Sequence, residues 1–275
     1  MPDMRDLVAD ERPDLLEQVT ALVGEDPFAR VDDSTRFAQP AIFCASLAGW
    51  ERVRDHVEAA AFAGHSLGEL TALVASGALD ERDGLRLVVL RGLLMAISGE
   101  QAGGGTMLVV LGATSAQAGA IAARHDVSLA NDNAPGQVVL SGAPDGLAAA
   151  RDDAAGEGLR TVELDVAGAF HSPQMQDAVS PFREALADVE FAAPTAPVIS
   201  CATALPFVEP RQELAAALVR PVRWRDTMGA LAADGVMAFV DAGPGRVLAK
   251  LAPRCVSGAG AASIDMLLGD VRAAA

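Results

Sequence analysis

Apolar positions recur with a helical period in some segments of the chain and form short continuous runs in others. In the first third, helical spacing predicts helices over 13–23, 41–53 and 81–97. An apolar run at 59–63 predicts a short buried strand, and helical spacing resumes at 66–75. A strand, a tight turn and a helix are therefore expected between 59 and 75.

A different pattern begins after the glycine run at 103–105. Here the order strand, helix, strand, strand, helix, strand is predicted, over 106–111, 115–124, 127–130, 137–141, 145–155 and 159–166. This order is typical of a ferredoxin-like βαββαβ unit. We therefore expect an inserted ferredoxin-like subdomain at 103–167, within a catalytic domain made of 1–102 and 168–275.

The last third again alternates helices with strands. Helices are predicted over 174–186, 212–219, 226–233 and 246–251, and strands over 197–200 and 236–240, the second of them buried. Strands and helices that alternate in this way favour a parallel sheet covered by helices. The predicted fold class is α/β, and chemistry is expected at the carboxyl edge of the sheet.

The segment Gly64-His65-Ser66-Leu67-Gly68 fits the Gly-x-Ser-x-Gly pattern of a nucleophile elbow. In such an elbow small residues permit close backbone contact, and the serine stands at a helix N-terminus that favours negative charge. The N–H of Leu67 would then meet the oxyanion formed when Ser66 attacks a carbonyl. The pattern also arises by chance in a chain rich in glycine and alanine, but the predicted strand and helix beside it favour the elbow.

A serine nucleophile needs a base, and the chain has 4 histidines. His171 is the best candidate because it lies where the insert returns to the large domain, a common place for a pocket. His65 adjoins Ser66 and is expected to line the pocket, since a neighbour within the elbow cannot easily reach Oγ. Arg91 lies among apolar residues of the helix at 81–97, so it either extends to the surface or pairs with a carboxylate.

Composition narrows the class of protein. With 275 residues, 51% of them hydrophobic and 21% charged, the chain is expected to be globular. A net charge of −16 argues against nucleic acid or an anionic membrane as a partner. No apolar run suits a membrane span and no signal-peptide pattern is present, so a cytoplasmic location is expected. The 3 cysteines lack metal-ligand spacing, so reduced thiols and no metal are expected.

Taken together, the motifs resemble the malonyl-CoA:acyl-carrier-protein transacylases of fatty acid synthesis and the related acyltransferase domains of polyketide synthases. The resemblance covers nearly the whole chain. It rests on six segments: Gly64–Glu69, Arg86–Met95, Asn131–Val139, Ala169–Ser172, Pro221–Trp224 and Gly243–Leu248.

The resemblance implies an α/β-hydrolase-like core with a ferredoxin-like insert and a two-step transfer of a malonyl group. Ser66 would carry the acyl group, His171 would act as base and Arg91 would hold the malonyl carboxylate. Phe170 would disfavour a methylmalonyl group, and His65 and Asn133 would complete the substrate site. Malonyl-CoA and the phosphopantetheine thiol of acyl carrier protein would be the substrates, with no cofactor, and a monomer is expected.

Two departures from the family pattern lead to further expectations. Family members begin with a strand and a Gly-Gln-Gly segment that supplies a second oxyanion donor, whereas Pro2–Leu7 resembles the residues just after that segment. A start codon assigned too far downstream would explain this difference. A glutamine that orients the catalytic histidine is also absent between Arg220 and Pro221, so a backbone carbonyl is expected to take that role.

Two alternatives stay open at this point. A serine esterase or thioesterase would use the same elbow with water as acceptor, although it requires an acid before a late histidine. A truncated, inactive paralogue would bind only carrier protein.

A cluster of basic residues between Arg211 and Arg254 is either a docking surface for an acidic partner or a set of solvated side chains. The choice between fatty acid and polyketide synthesis is left open.

Overall fold

The computed structural model describes residues 2–264 and Met266. Its first part is mainly helical, and the elements are α1 (Pro2–Glu11), α2 (Pro13–Val23), α3 (Thr35–Val53), β1 (Phe62–Ala63), α4 (Gly68–Ala75) and α5 (Glu81–Gln101). Helix α1 was missed by the sequence analysis. Helix α3 begins before Pro40, earlier than predicted, because the side chain of Ser34 accepts a hydrogen bond from the N–H of Arg36 and caps the helix there.

The middle of the chain has its elements closely in the predicted order. They are β2 (Thr106–Leu111), α6 (Ser115–Arg124), β3 (Ser128–Ala134), β4 (Gln137–Gly142), α7 (Pro144–Gly156) and β5 (Arg160–Leu164). The sheet order is β3-β4-β2-β5 with antiparallel pairing throughout. Helices α6 and α7 cover this sheet through a core that includes Leu108, Ile121 and Leu147. This is the ferredoxin-like arrangement.

The last part contains α8 (Gln176–Ala187), β6 (Val198–Ile199), α9 (Pro210–Ala217), α10 (Trp224–Ala233), β7 (Ala238–Asp241), α11 (Val247–Cys255) and β8 (Gly260–Ser263). Strand β8 was not predicted. Strand β1 pairs with β6 and β7 pairs with β8, both in parallel. The α/β class with parallel strands is thus confirmed, but the described residues form two separate two-stranded parallel sheets rather than one.

Strand β1 is shorter than the apolar run at 59–63 predicted. A strand is only as long as the segment with which it forms backbone hydrogen bonds, and β1 pairs with two residues of β6.

Strand β7 differs from the prediction in its burial. Val240 remains 41% exposed and Met237, just before the strand, 43% exposed, although the apolar run at 236–240 predicted a buried strand.

The main core packs helices α3, α5 and α8 around the elbow. Its largest fully buried side chains include Phe43, Leu70, Leu85 and Phe182. Within residues 2–264 no helix combines the length and the apolar content that crossing a membrane requires.

Bulges in β3 attach the ferredoxin-like unit to the segment between α9 and α10. The N–H of Asp132 donates to the carbonyl of Val222, and the N–H of Val222 donates to the carbonyl of Ala130, each at 2.8 Å. The carboxylate of Asp132 also lies 2.8 Å from the guanidinium of Arg225. These contacts hold the ferredoxin-like unit against the segment that joins α9 to α10.

Candidate active site

The turn at Ser66 has the geometry of a nucleophile elbow. Ser66 adopts φ 54°, a left-handed conformation that is strained for a residue with a side chain. A Cβ on Gly64 would overlap the backbone of Gly68, so glycine is required at 64. A Cβ on Gly68 would meet nothing within 4 Å, so the expectation that close contact demands both small residues is correct only for the first.

His171 lies beside Ser66, as the sequence analysis expected. Its Nε2 is 2.7 Å from Ser66 Oγ, and the two residues are 105 positions apart in the chain. Its Nδ1 lies 3.0 Å from the carbonyl oxygens of both Ala217 and Arg220. Carbonyls accept hydrogen bonds only, so Nδ1 carries the proton and Nε2 is free to accept the proton of Ser66.

Backbone carbonyls therefore orient the imidazole without a carboxylate. The sequence analysis expected a neighbouring carbonyl, and two of them lie within hydrogen-bond distance. Their position could not be read from the sequence because they lie at the end of α9 and just beyond it, 46 and 49 residues after His171.

Burial keeps His171 neutral. Loss of solvation, reinforced by the positive charge of Arg91, lowers the pKa of His171 to about 3. The two carbonyl hydrogen bonds oppose this shift but are the weaker influence. A neutral imidazole at neutral pH is the form that can remove a proton from a hydroxyl.

Arg91 is buried at the same site instead of reaching the surface. It is 4% exposed, and its Nη2 donates to Ser66 Oγ at 3.0 Å. No carboxylate within residues 2–264 forms an ion pair with it. Desolvation lowers the pKa of Arg91 to about 10, so the group is still charged at neutral pH. A buried cation without a carboxylate partner is suited to an anionic ligand.

Gln39 on α3 fixes the other side of this guanidinium, and the sequence analysis missed it. Its Oε1 accepts from Arg91 Nη1 at 2.5 Å. Its Nε2 donates to Thr35 Oγ1 at 2.8 Å and lies 3.3 Å from the Met95 sulfur. The amide orientation is thus fixed by both ends. In the sequence, a glutamine among apolar residues could have indicated this contact. The helix was predicted to begin at residue 41, however, so Gln39 was left outside it.

The N–H of Leu67, just before α4, is in a position to donate to an oxyanion. In the described part of the chain the N–H of Leu67 donates to no protein acceptor, and Leu67 lines the cavity beside Ser66. The helix N-terminus adds its positive dipole end there. The N–H of Ser66 is directed instead toward the Cys201 sulfur, at 3.4 Å.

Glu69 ties this turn to the end of β6. Its Oε1 accepts from Ser200 Oγ at 2.9 Å and from the N–H of Cys201 at 2.7 Å. Glu69 is 2% exposed, and burial raises the pKa of its carboxyl group. Glu69 therefore connects the elbow to the parallel strand beside it through buried hydrogen bonds.

A cavity of about 190 Å³ contains these groups. Phe170, Met95, Met107 and Asn131 line its remaining walls. His65 also lines it, and its Nε2 lies 2.8 Å from Asn133 Oδ1. Asn133 thus stands against His65, outside the cavity wall, where Asn131 is found instead.

The other histidines lie away from this cavity. His56 is exposed, and His125 Nε2 lies 2.8 Å from the Asp153 carboxylate in the ferredoxin-like unit. Across the residues that the structure describes, no group of three or more His, Cys, Asp and Glu side chains could hold a metal ion.

Comparison with known families agrees with this geometry. The model of the family described as "Acyl transferase domain" matches residues 16–272. The chain belongs to the acyl transferase domain family. It is therefore an acyltransferase, and the matched range contains all six motif segments, from Gly64–Glu69 to Gly243–Leu248.

Relatives of this acyl transferase differ widely in length. Over 257 residues it is 39% identical to the polyketide biosynthesis protein ThaF of Burkholderia thailandensis, with 89% of this chain and 22% of ThaF covered. Over 264 residues it is 36% identical to the polyketide biosynthesis malonyl CoA-acyl carrier protein transacylase BaeC of Bacillus velezensis, with 89% of each covered. The acyl transferase thus spans about a fifth of ThaF and most of BaeC.

Solved structures share its fold. The malonyl-CoA:acyl carrier protein transacylase FabD of Xanthomonas oryzae pv. oryzae superposes with a TM-score of 0.88 at 32% sequence identity. The superposition covers 97% of this acyl transferase and 92% of the Xanthomonas protein.

Proposed function

We propose that this acyltransferase moves a malonyl group from malonyl-CoA to the phosphopantetheine thiol of an acyl carrier protein. The observation that carries the proposal is the buried Arg91 guanidinium, which lies within hydrogen-bond distance of Ser66 Oγ and has no carboxylate partner in the described chain. A malonyl ester on Ser66 ends in a carboxylate. Such a group would supply the anion that Arg91 lacks.

In the first step, His171 Nε2 takes the proton of Ser66 while Oγ attacks the thioester carbonyl of malonyl-CoA. The N–H of Leu67 and the N-terminus of α4 stabilise the oxyanion. The C–S bond then breaks, and the CoA sulfur leaves as a thiol with the proton from His171. A malonyl ester on Ser66 remains.

In the second step, the thiol of the carrier protein gives its proton to His171 and attacks the same carbonyl. The ester bond to Ser66 breaks, and Oγ recovers the proton. Arg91 holds the far carboxylate through both steps, which selects a malonyl over an acetyl donor. Phe170 fills the space beside His171 and disfavours a methylmalonyl group, a preference worth about 1–3 kcal/mol.

The carrier protein is proposed to dock near the exposed cations Arg220, Arg246 and Lys250. Within residues 2–264 none of the three forms an ion pair, and the backbone carbonyl of Arg220 itself contacts His171. An acidic carrier protein would therefore be attracted close to the cavity. Polyketide biosynthesis proteins are among the relatives. A cytoplasmic location and a monomeric state remain predictions.

Intact-mass measurement tests the proposal. The protein mixed with malonyl-CoA is expected to gain the mass of one malonyl group, and added holo carrier protein is expected to remove it. Ser66→Ala should gain nothing. Rapid release of free malonate without carrier protein would indicate a hydrolase instead, and the absence of any adduct on the unaltered chain would indicate an inactive paralogue.

Arg91→Ala tests the carboxylate contact, with Arg86→Ala as its matched control because Arg86 is exposed on the same helix. Removal of one partner from a buried ion pair costs about 3–5 kcal/mol, so kcat/KM for malonyl-CoA should fall by about 100-fold or more in Arg91→Ala. The rate with acetyl-CoA should change little. An equal loss with both donors would contradict the assigned role of Arg91.

A further inference from the structure

A chain of hydrogen bonds leads from Arg91 to the first turn of α3. Arg91 Nη1 donates to Gln39 Oε1, and Gln39 Nε2 donates to Thr35 Oγ1 at 2.8 Å. Thr35 is the first residue of α3 and lies four positions before Gln39, so the two side chains share one face of the helix. The two transfer steps use Arg91 but not Thr35.

The guanidinium of Arg91 sets the direction of every bond in this chain. A guanidinium only donates, so Gln39 must present its oxygen to Arg91 and its nitrogen to Thr35. An amide nitrogen also only donates, so Thr35 Oγ1 is the acceptor. The hydroxyl of Thr35 therefore keeps its own proton for a different acceptor.

No protein group takes that proton within the described residues. A threonine inside a helix commonly donates to the carbonyl three or four positions earlier, as Thr20 of α2 does to Leu16 at 2.7 Å. Thr35 has no such carbonyl in its helix, because α3 begins with it. The half-buried hydroxyl of Thr35 is therefore a donor without a protein partner.

This free hydroxyl belongs to a residue of the catalytic cavity. Thr35 lines the same space of about 190 Å³ as Ser66 and Arg91. The first turn of α3 also lies directly against α5, since a Cβ on Gly92 would come within 2.8 Å of the carbonyl oxygen of Thr35. Gly92 follows Arg91 in the chain, so the close contact of the two helices holds Thr35 next to the segment that carries the guanidinium.

A carboxylate in this cavity would need more than one donor. Its two oxygens have about four lone-pair sites, and both Nη groups of Arg91 already donate to protein oxygens. The other N–H groups of the cavity side chains are bound as well: His65 Nε2 faces Asn133 Oδ1, and His171 Nδ1 faces two backbone carbonyls. A buried anion gains from each additional hydrogen bond.

We propose that Thr35 is a substrate-binding residue, whose hydroxyl donates to the free carboxylate of the malonyl group beside Arg91. This inference deepens the proposed function and rests on it, because the malonyl donor brings the carboxylate into the cavity. The anion then accepts from both Thr35 and Arg91. Since Gln39 already joins these two residues, the substrate closes a ring of hydrogen bonds.

Thr35 would add to the selection of the acyl group without adding a charge. An acetyl group ends in a methyl group, which accepts no hydrogen bond and leaves the hydroxyl of Thr35 unpaired. A site that is built to bond a polar group of the substrate rejects an analogue that lacks this group. Thr35 and Arg91 would therefore both favour a malonyl over an acetyl donor.

Thr35→Val and Thr35→Ser test the contact, since valine removes the hydroxyl at nearly constant shape and serine keeps it. A hydrogen bond to a charged group is worth about 10- to 100-fold, so kcat/KM for malonylation of Ser66 should fall by this factor in Thr35→Val. Thr35→Ser should lose about threefold or less, and acetylation by acetyl-CoA should change about threefold or less in both variants. Quenched-flow sampling with intact-mass detection measures all these rates.

Thr20→Val is the matched control. Thr20 is a half-buried threonine on α2, its hydroxyl already has a protein acceptor, and it does not line the catalytic cavity. Malonylation and acetylation of Thr20→Val should both proceed at the rates of the unaltered protein.

A second variant separates a direct contact from an effect through Gln39. Thr35 Oγ1 accepts from the Gln39 amide, so its loss also frees that amide. In a Gln39→Leu background no amide remains to be oriented. Adding Thr35→Val there should still lower kcat/KM for malonyl-CoA by about fivefold or more. No further loss would make Thr35 a positioning residue for Gln39 and would overturn the proposal.

The remaining outcomes distinguish this inference from the proposed function. Equal malonylation rates in Thr35→Val and the unaltered protein would contradict the inference alone, as would equal losses with malonyl-CoA and acetyl-CoA. A loss in Thr35→Ser as large as in Thr35→Val would show that the hydroxyl is not the group that matters. If the unaltered protein formed no malonyl adduct, the proposed function would be wrong and this inference with it.

Discussion

His171 and Arg91 share one small buried space, and the charge of Arg91 affects the pKa of His171. The positive charge of Arg91 lowers the pKa of His171 and so helps to keep its imidazole neutral. Burial lowers the pKa of Arg91. Gln39 contributes to this arrangement by accepting from Arg91 without adding a negative charge. Because the guanidinium has no carboxylate partner within the described chain, its charge is available to a ligand.

The first prediction at the residue scale concerns Gln39. Gln39→Leu removes the acceptor of Arg91 Nη1 and leaves a buried charged donor unpaired, a cost of about 1–3 kcal/mol. We expect kcat/KM for malonyl-CoA to fall about 5- to 100-fold, and discrimination against acetyl-CoA to weaken. Steady-state kinetics with both donors measures this effect. Gln101→Leu at the exposed end of α5 is the control, and equal kinetics in the two variants would refute the role of Gln39.

A second residue-scale prediction concerns the pH profile. With its pKa near 3, His171 stays neutral well below the ordinary value of 6.5. Since kcat/KM reports groups of the free enzyme, kcat/KM for malonyl-CoA should stay level as the pH falls through about 6.5. Stopped-flow acylation of Ser66 between about pH 5 and pH 8 measures this. An acid limb centred near the ordinary histidine value would show that the base is solvated.

At the scale of elements, the active site depends on how α4 is joined to the end of β6. Glu69 makes this connection, with one carboxylate oxygen that accepts from both Ser200 and Cys201. Strand β1 pairs with only two residues of β6, so the backbone ladder alone holds the elbow weakly. The buried carboxylate supplies the missing attachment.

The third prediction tests this attachment. Glu69→Ala leaves a buried hydroxyl and a buried N–H without an acceptor, so the free energy of unfolding should fall by about 2–4 kcal/mol. Glu69→Gln keeps one acceptor oxygen and should lose about half as much or less. Urea denaturation measures both, with exposed Glu100→Ala as control. A loss in Glu69→Gln as large as in Glu69→Ala would mean that the charge, not the acceptor, stabilises the elbow.

The whole molecule binds protons differently when folded because it buries two histidines at one site. The pKa of His171 falls to about 3 on burial, and burial lowers that of His65 as well. Below about pH 6.5 this histidine binds a proton in the unfolded chain but stays neutral in the folded protein. The free energy of unfolding therefore decreases as the pH falls from 6.5 toward 3. The raised pKa of Glu69 acts in the opposite direction, since the folded protein then retains a proton to higher pH.

The fourth prediction isolates the His171 contribution. Between about pH 6 and pH 4.5, the unfolding free energy of the unaltered protein should fall more steeply than that of His171→Gln, by up to about 1.4 kcal/mol per pH unit. Urea titrations at several pH values give both slopes. Equal slopes would contradict the burial of a neutral imidazole in the folded protein.

The sequence alone determined what depends on neighbouring residues. The apolar periods fixed α2, α6 and the order of the ferredoxin-like unit, because amphipathic helices and strands record their buried faces in local spacing. Gly64 and Ser66 indicated the elbow, since a tight turn at a helix start needs particular residues at adjacent positions.

Tertiary structure decided what depends on residues far apart in the chain. It brought Gln39 to Arg91 across 52 positions and the carbonyls of Ala217 and Arg220 to His171. A backbone carbonyl has no sequence signal, because every residue possesses one. The large cavity lined by segments 57–65 and 236–244 is also a tertiary feature, since the apolar run at 236–240 shows that a strand forms but not what lies against it. Pairing between strands is a non-local contact, and local spacing does not encode its partner.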